Sequence, residues 1–331
     1  MVEGLRPLNE FNHRLEYGNC WHICEEAHAA GALTREPTWE HALADYCGKL
    51  LKRYPTQAQQ VDHWWNVCRT QFPIYVDYWA QHPDVMERRP LLQEYAFNVP
   101  YRLPSGRTVR LRGKLDSVDW VKGKESSIWL VENKTKGDVR EAQIKRQLSF
   151  DLQVMMYVVA LAKYKRLKTD PNMPDLGFID SYPIAGVRYN VVRRPLSGSK
   201  GSIKRHKPSK KNPAGEGKDA FYRRLGGIIK TSPAEYFMRW EVLVLPEDVT
   251  RFRRECLDPI LEGLCDWWAY IQDHRGEPFK NPELSQGLHW RTPFGWYDPL
   301  QEVGSTDLDD YISTGSNIGL MQTNNLFPEL T

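Results

Sequence analysis

Asp116, Glu132 and Lys134 are the residues whose types and spacing could most readily do chemistry in this chain of 331 residues. They lie in GKLDSVDW (113–120) and SSIWLVENKTKG (126–137), and Gln153 and Tyr157 follow about one helix later in QLSFDLQVMMYVVAL. Alternate side chains of a strand share a face, so Ile128, Leu130, Glu132 and Lys134 line up, with Trp129, Val131 and Asn133 opposite. A carboxylate and an ammonium at the polar end of a buried apolar row are costly unless they serve each other or a ligand. If VRLRGKLDSVDW pairs with the next run through VKGKES, the hairpin is antiparallel and brings Asp116 towards Glu132. Two carboxylates held together repel, which raises one pKa, and a hard divalent cation removes that penalty. Oxygen ligands suit Mg2+ or Mn2+. With Lys134 alongside, such a set can activate water and neutralise the charge that develops during phosphodiester cleavage.

The elements that must position these groups follow from periodicity. Residues 8–32 and 37–82 read as helical, the second rich in aromatic residues (Trp39, Tyr46, Trp64, Trp65, Phe72, Tyr75, Trp79) that suit a core. Leu91–Tyr101 alternates, with Tyr95, Phe97 and Val99 on one face and Glu94, Ala96 and Asn98 on the other, which predicts a first strand turned at LPSGR into the strand of Asp116. Asp119 is the rival of Asp116, but its odd spacing puts it on the opposite face. Residues 139–165 read as a helix with Leu148, Leu152, Met155, Val159 and Ala162 along one stripe, and Gln153 and Tyr157 are stacked one turn apart beside it. Residues 182–194 read as a further strand. After a loop come a helix, a strand near Tyr236–Leu245 and a long helix from Pro246.

Gly-Lys-Leu-Asp (113–116), Glu-Asn-Lys (132–134) and Gln-Val-Met-Met-Tyr (153–157), in this order, resemble the RecB-like branch of the PD-(D/E)XK nuclease superfamily. Upstream, LEYGNCWHICEEA (15–27) resembles that family's histidine-bearing helix, with Gly18 and His22 four apart. Each motif alone is weak; four in order are much stronger. The resemblance covers residues 15–160 well and the rest loosely. It implies an α/β fold of the restriction-endonuclease-like kind: a mixed central sheet in α-β-β-β-α-β order with added helices. It implies that Asp116 and Glu132 hold one or two Mg2+ or Mn2+ ions with His22, the Asn133 backbone carbonyl and an acidic residue on the first strand, Glu94. Lys134 would position or activate the attacking water, and Gln153 and Tyr157 would orient the helix or the substrate. On its helix alone, His22 is as well explained by a bond to Glu25 or Glu26, and Glu94 by a solvated strand position. The implied activity is DNA cleavage to 5′-phosphate and 3′-hydroxyl products, most commonly by exonucleases of recombination and repair, and the sequence resembles phage-encoded members.

Bulk properties bound the rest. Hydrophobic residues make up 41%, with 12 Trp and 16 Tyr, enough for a real core. A net charge of +3 and pI of about 8.4 permit a nucleic-acid partner without requiring one. No apolar run is long enough to span a bilayer and the N-terminal residues lack a signal-peptide core, so no membrane partner and an intracellular, cytoplasmic location are expected. The scattered Cys20, Cys24, Cys47, Cys68, Cys256 and Cys265 form no disulfide framework. Cys20 lies near the first helix, but Cys256 and Cys265 lack a close third partner, so no iron–sulfur cluster is expected. Cys20, Cys24 and His28 share a helix face, which suits core packing better than a zinc site.

The stretch 195–218 is Gly, Ser, Pro and Lys throughout, with Glu216 its only acid, and is expected to be a mobile loop. Its Lys204, Arg205, Lys207, Lys210 and Lys211, together with Lys136, are candidate contacts to DNA phosphates, or else plain surface charge. The organisation expected is an N-terminal helical region (1–90), a nuclease core (91–275) carrying the basic insertion, and an irregular tail (276–331). The expected partners are single- or double-stranded DNA with ends and a single-strand annealing or recombination protein. A rival class is a weakly active or inactive DNA-binding module working with such a partner. No Walker-type GK[ST] loop is present, so an in-chain helicase motor is not expected.

Overall fold

The computed structural model describes residues 5–7, 11–34, 38–81, 88–122, 125–137, 151–164, 182–195, 203–210, 212–273 and 320–322. The elements in order are β1 (Leu5–Pro7), α1 (His13–Thr34), α2 (Trp39–Arg53), α3 (Ala58–Ala80), β2 (Arg88–Arg102), β3 (Thr108–Val121), β4 (Ser127–Lys136), α4 (Leu152–Tyr164), β5 (Ile184–Arg193), α5 (Lys218–Thr231), β6 (Phe237–Leu243), α6 (Pro246–Phe252) and α7 (Asp258–Asp273), with β7 at Leu320–Gln322. The chain divides into two compact units. One comprises Phe11–Tyr101 and Arg110–Arg253; the other comprises Met1–Glu10, Arg102–Val109 and Arg254–Thr331.

The first unit is an α/β fold around a five-stranded sheet of order β2-β3-β4-β5-β6. β3 and β4 are antiparallel, β4 and β5 parallel, and β5 and β6 antiparallel. The expected α-β-β-β-α-β order is present, with β6 added at the far edge. A parallel neighbour requires a crossover, which places α4 between β4 and β5 and leaves β4 nearly continuously buried from Ile128 to Asn133.

The helical layer is built on buried residues at helical spacing: Tyr17, Cys20, Trp21 and Cys24 of α1 against Val61, Trp64, Cys68, Phe72, Tyr75 and Trp79 of α3. The expected single run 37–82 is two helices, because Pro55 follows Tyr54 and starts a short 3-10 turn. Cys20, Cys24, Cys47 and Cys68 are core residues, and His28 lies edge-on to Phe72. Tyr17 donates to Gln71 at 2.7 Å and Gln71 donates to the Arg193 carbonyl at 2.9 Å, which fixes α1 and α3 over the end of β5.

One local expectation is corrected. The smooth alternation read along Leu91–Tyr101 is broken: Leu92 is buried, then Phe97, Val99 and Tyr101 are, so the buried parity switches. The switch occurs across Glu94, whose φ of 46° is the one left-handed non-glycine value among the described residues. The helix expected over 139–165 is described from Leu152 only, where Asp151 caps it by accepting from the Gln153 and Val154 N–H groups; residues 138–150 lie outside the described residues.

The described part of the stretch expected to be a mobile loop makes specific contacts. Ile203 is buried, and Glu216 accepts from both Arg224 nitrogens at 2.7 Å and from the His206 N–H at 2.9 Å. Arg224 above all, with help from the His206 N–H, holds its carboxyl down at about 2 against desolvation. Lone acid and distant arginine thus staple 203–218 to α5.

In the second unit β1 and β7 pair antiparallel, Leu5 opposite Gln322, and Arg107 pairs with Asp266 of α7 at 2.5 Å. The tail from residue 276 lies outside the described residues apart from β7. No described helix is long and apolar enough to cross a membrane.

Candidate active site

The β3–β4 register brings the acidic pair together. Val118 pairs with Leu130 and Ser117 with Val131, where the ladder ends, and Asp116 and Glu132 are the next residues on the two strands. There a side chain takes over from the backbone, since the Asn133 N–H donates to Asp116 Oδ2 at 2.7 Å. Asp119, the rival, is fully buried on an ion pair with Arg88 at 2.6 Å and a hydrogen bond from Ser117, so it is structural.

α1 supplies His22. A methyl group on Gly18, one turn earlier, would stand 3.2 Å from Thr135 Oγ1, so glycine lets the helix lie close on β4. His22 Nδ1 is 3.1 Å from Glu94 Oε1 and 3.7 Å from Asp116 Oδ1. One ligand atom from each of His22, Glu94 and Asp116 lies within 4.8 Å of the others, the one such group among the described residues. The backbone twist at Glu94 places this carboxylate in the site. Its partner Lys114, at 2.7 Å, was not singled out by sequence reasoning, although it stands inside the Gly-x-x-Asp motif.

Glu132 and Lys134 form a second group. The Lys134 ammonium bonds Glu132 Oε1, while Oε2 of this nearly inaccessible carboxylate is buried without a hydrogen-bond partner. Such an orphan is costly in a protein interior. Three carboxylates and one imidazole, with one carboxylate oxygen left unpartnered, are a donor set that fits a hard divalent cation.

The electrostatics point the same way. Burial, then the Asp116 charge, push Glu132 up to about 7, against Lys134 and His22. Burial also raises Asp116, opposed by His22 and the Asn133 N–H. Burial alone would lower His22, but the Glu94 hydrogen bond and the charges of Asp116, Glu94 and Glu132 carry it to about 9. A carboxyl raised above its ordinary 4.5 opposes folding as pH rises through 7, and a bound cation cancels that cost. If Glu132 and His22 are ligands, binding would displace protons from Glu132 below about 7 and from His22 below about 9, so Mn2+ affinity should rise from pH 6 to pH 9. Calorimetric Mn2+ titrations in buffers of different ionisation enthalpy measure both affinity and proton release; a pH-independent affinity with no release contradicts this set of ligands.

Gln153 and Tyr157 bond each other, Nε2 to phenol oxygen, at 2.7 Å. Tyr157 lies edge-on to Phe97 with 5.5 Å between centroids, and a methyl on Gly113 would fall within 2.8 Å of both rings. Gly113 therefore allows α4 to close on β2 and β3 beside Asp116. Of the candidate DNA contacts, Lys204, Lys207 and Lys210 are exposed and Lys136 is half-buried. Arg205 is exposed too, but its Nε is committed to the Glu216 carbonyl. Lys211 lies outside the described residues.

A family model described as the PD-(D/E)XK nuclease superfamily matches residues 1–245. No curated protein matches the chain. Members of this superfamily are nuclease hydrolases that use divalent metals and act on DNA, in keeping with the donor set above. The matched span takes in α1, the whole five-stranded sheet and every group just described around Asp116, and the chain belongs to the PD-(D/E)XK nuclease superfamily.

Proposed function

We propose that the chain is an exonuclease that hydrolyses DNA to 5′-phosphate and 3′-hydroxyl products, with one or two Mg2+ or Mn2+ ions as cofactor. One observation carries the reading: His22, Glu94 and Asp116 converge beside a buried Glu132 oxygen that has no partner, with Lys134 at its side. Asp116, Glu132, His22, Glu94 and the Asn133 carbonyl would hold the ion. When bound, it would supply Lewis acidity at the scissile phosphate and lower the pKa of a coordinated water.

The chain's own residues do the rest. Asp116 is held in place by the Asn133 N–H, which keeps one of its oxygens oriented. Lys134, beside Glu132, would orient the attacking water and meet the charge growing on the phosphate oxygens. The Gln153–Tyr157 bond lies within α4 and steadies the Tyr157 ring, which packs on Phe97; the pair would orient the helix or the substrate. Lys136, Lys204, Lys207 and Lys210, and Lys211 beyond the described residues, suit phosphate contacts along the strand.

The RecB-like, phage-type branch, an intracellular role in recombination or repair, and an annealing protein as partner belong to the same reading; its support is the order of the motifs. End-labelled linear DNA, closed circular DNA and RNA, each with Mg2+, Mn2+ or EDTA, test it. Loss of linear DNA alone, abolished by EDTA, is the expected result. Cutting of circles makes the activity endonucleolytic, and binding without cutting makes the chain a DNA-binding module.

A further inference from the structure

Asn133, between the two residues of the Glu-x-Lys motif, belongs to a buried polar row that crosses three strands. Register makes Asn133 and Asn190 direct partners on β4 and β5, and Asn190 and Arg239 direct partners on β5 and β6. Asn190 Nδ2 donates to Asn133 Oδ1 at 3.0 Å, and Arg239 Nε donates to Asn190 Oδ1 at 2.8 Å. The guanidinium carbon of Arg239 lies 4.0 Å from the ring centroid of Trp79 on α3. Both asparagines are nearly inaccessible, and Val192 and Phe237, two residues along the ladder, are core residues. An amide row in an apolar layer must be satisfied throughout, and here each donor points the same way, from Arg239 towards the motif.

We propose that Asn190 and Arg239 are positioning residues for metal binding, acting through Asn133. The Asn133 N–H holds Asp116 Oδ2, and its carbonyl is a ligand under the reading above, on which this inference rests. A side chain of two torsions clamped at its amide fixes the peptide on either side, so one row sets both an acidic ligand and a backbone ligand. Partners of this kind, one step behind the ligands, typically govern metal affinity by 10–100-fold, as an order of magnitude.

The test is calorimetric Mn2+ binding with DNA cleavage kinetics and thermal melting on the full chain, for wild type, Asn190→Leu, Asn190→Asp and Arg239→Met. Asn190→Leu keeps the branching and heavy-atom count of the side chain and removes both hydrogen bonds; Mn2+ Kd should weaken, and kcat fall, by about 10–100-fold, with KM for DNA unchanged. Asn190→Asp still accepts from Arg239, and the Asn133 amide can turn to donate to it, so it should stay within about threefold of wild type. Arg239→Met keeps contact with Trp79 and should fall between. A lowered Tm with unaltered Mn2+ affinity in Asn190→Leu and Arg239→Met overturns the inference, as does an Asn190→Asp as weak as Asn190→Leu. Should Asn190→Leu fail to fold, the other two variants decide. Wild type that binds no Mn2+ overturns the metal-dependent reading itself, an outcome distinct from these.

Discussion

Lys134→Ala is expected to lower DNA cleavage by about 10²–10³-fold while leaving Mn2+ bound at least as tightly as in wild type. The two effects separate because Lys134 has two different relations to the site. In the metal-free arrangement its ammonium occupies Glu132 Oε1 and competes with a cation for that oxygen. Removing it deletes the competitor and leaves the carboxylates more negative, so binding is kept or improved. Under the proposed mechanism the same ammonium would face charge that grows only in the transition state, in a setting where Glu132 is almost excluded from water and electrostatic effects are correspondingly strong. Cleavage of end-labelled DNA and Mn2+ calorimetry on one preparation measure both. Unchanged cleavage would mean that the chemistry lies elsewhere. Equal loss of binding and cleavage would assign Lys134 to organising the ligands instead.

Gly186→Ala is expected to destabilise the first unit by about 3 kcal/mol or more, the upper end for overpacking. β4 and β5 slip register between Ile128 and Trp129, which pair with Ile184 and Gly186 and leave Ala185 extra. At that bulge β6 crowds in: a methyl on Gly186 would lie 2.1 Å from the Val242 carbonyl oxygen and 3.0 Å from Leu243 Cα. Both are backbone atoms, so relief requires moving β6 and with it Arg239. For a unit of this size the Tm should fall by about 6–12 °C. Gly227 in α5 is the internal control. A methyl there meets nothing within 4 Å, and Gly227→Ala should be neutral or stabilise by up to about 1 kcal/mol. A Tm change below about 2 °C in Gly186→Ala would show that the edge strand yields easily.

What could be read from the sequence depended on how local the signal was. Asp116, Glu132 and Lys134 sit on adjacent strands joined by a short turn, so alternation and pairing were enough to bring them together. The order of helices and strands was legible for the same reason. Glu94 was only half legible: its residue type suggested a ligand, but nothing in the regular alternation of Leu91–Tyr101 signals the backbone switch that orients it. The contacts of the basic loop are not legible in its composition, which is that of a free chain, while its one acid finds Arg224 on the following helix. Asn190 and Arg239 carry no motif. Their meaning comes from register across β4, β5 and β6, which a single sequence does not expose. The break between α2 and α3, by contrast, was signalled by Pro55 and could have been found.

The left-handed backbone of Glu94 has a consequence for how this nuclease could be made more robust. A non-glycine residue held there costs on the order of 1–3 kcal/mol, and an L side chain with a carboxylate is not the residue that relaxes it. Glycine would ease the strand and asparagine would tolerate it, but each removes a charged donor from the group formed with His22 and Asp116. Heat tolerance and ion capture therefore pull in opposite directions at one position. If Glu94 is a ligand as proposed, selection for thermal survival alone would tend to erode it, and variants gathered that way would be sturdier proteins with a poorer grip on their metal.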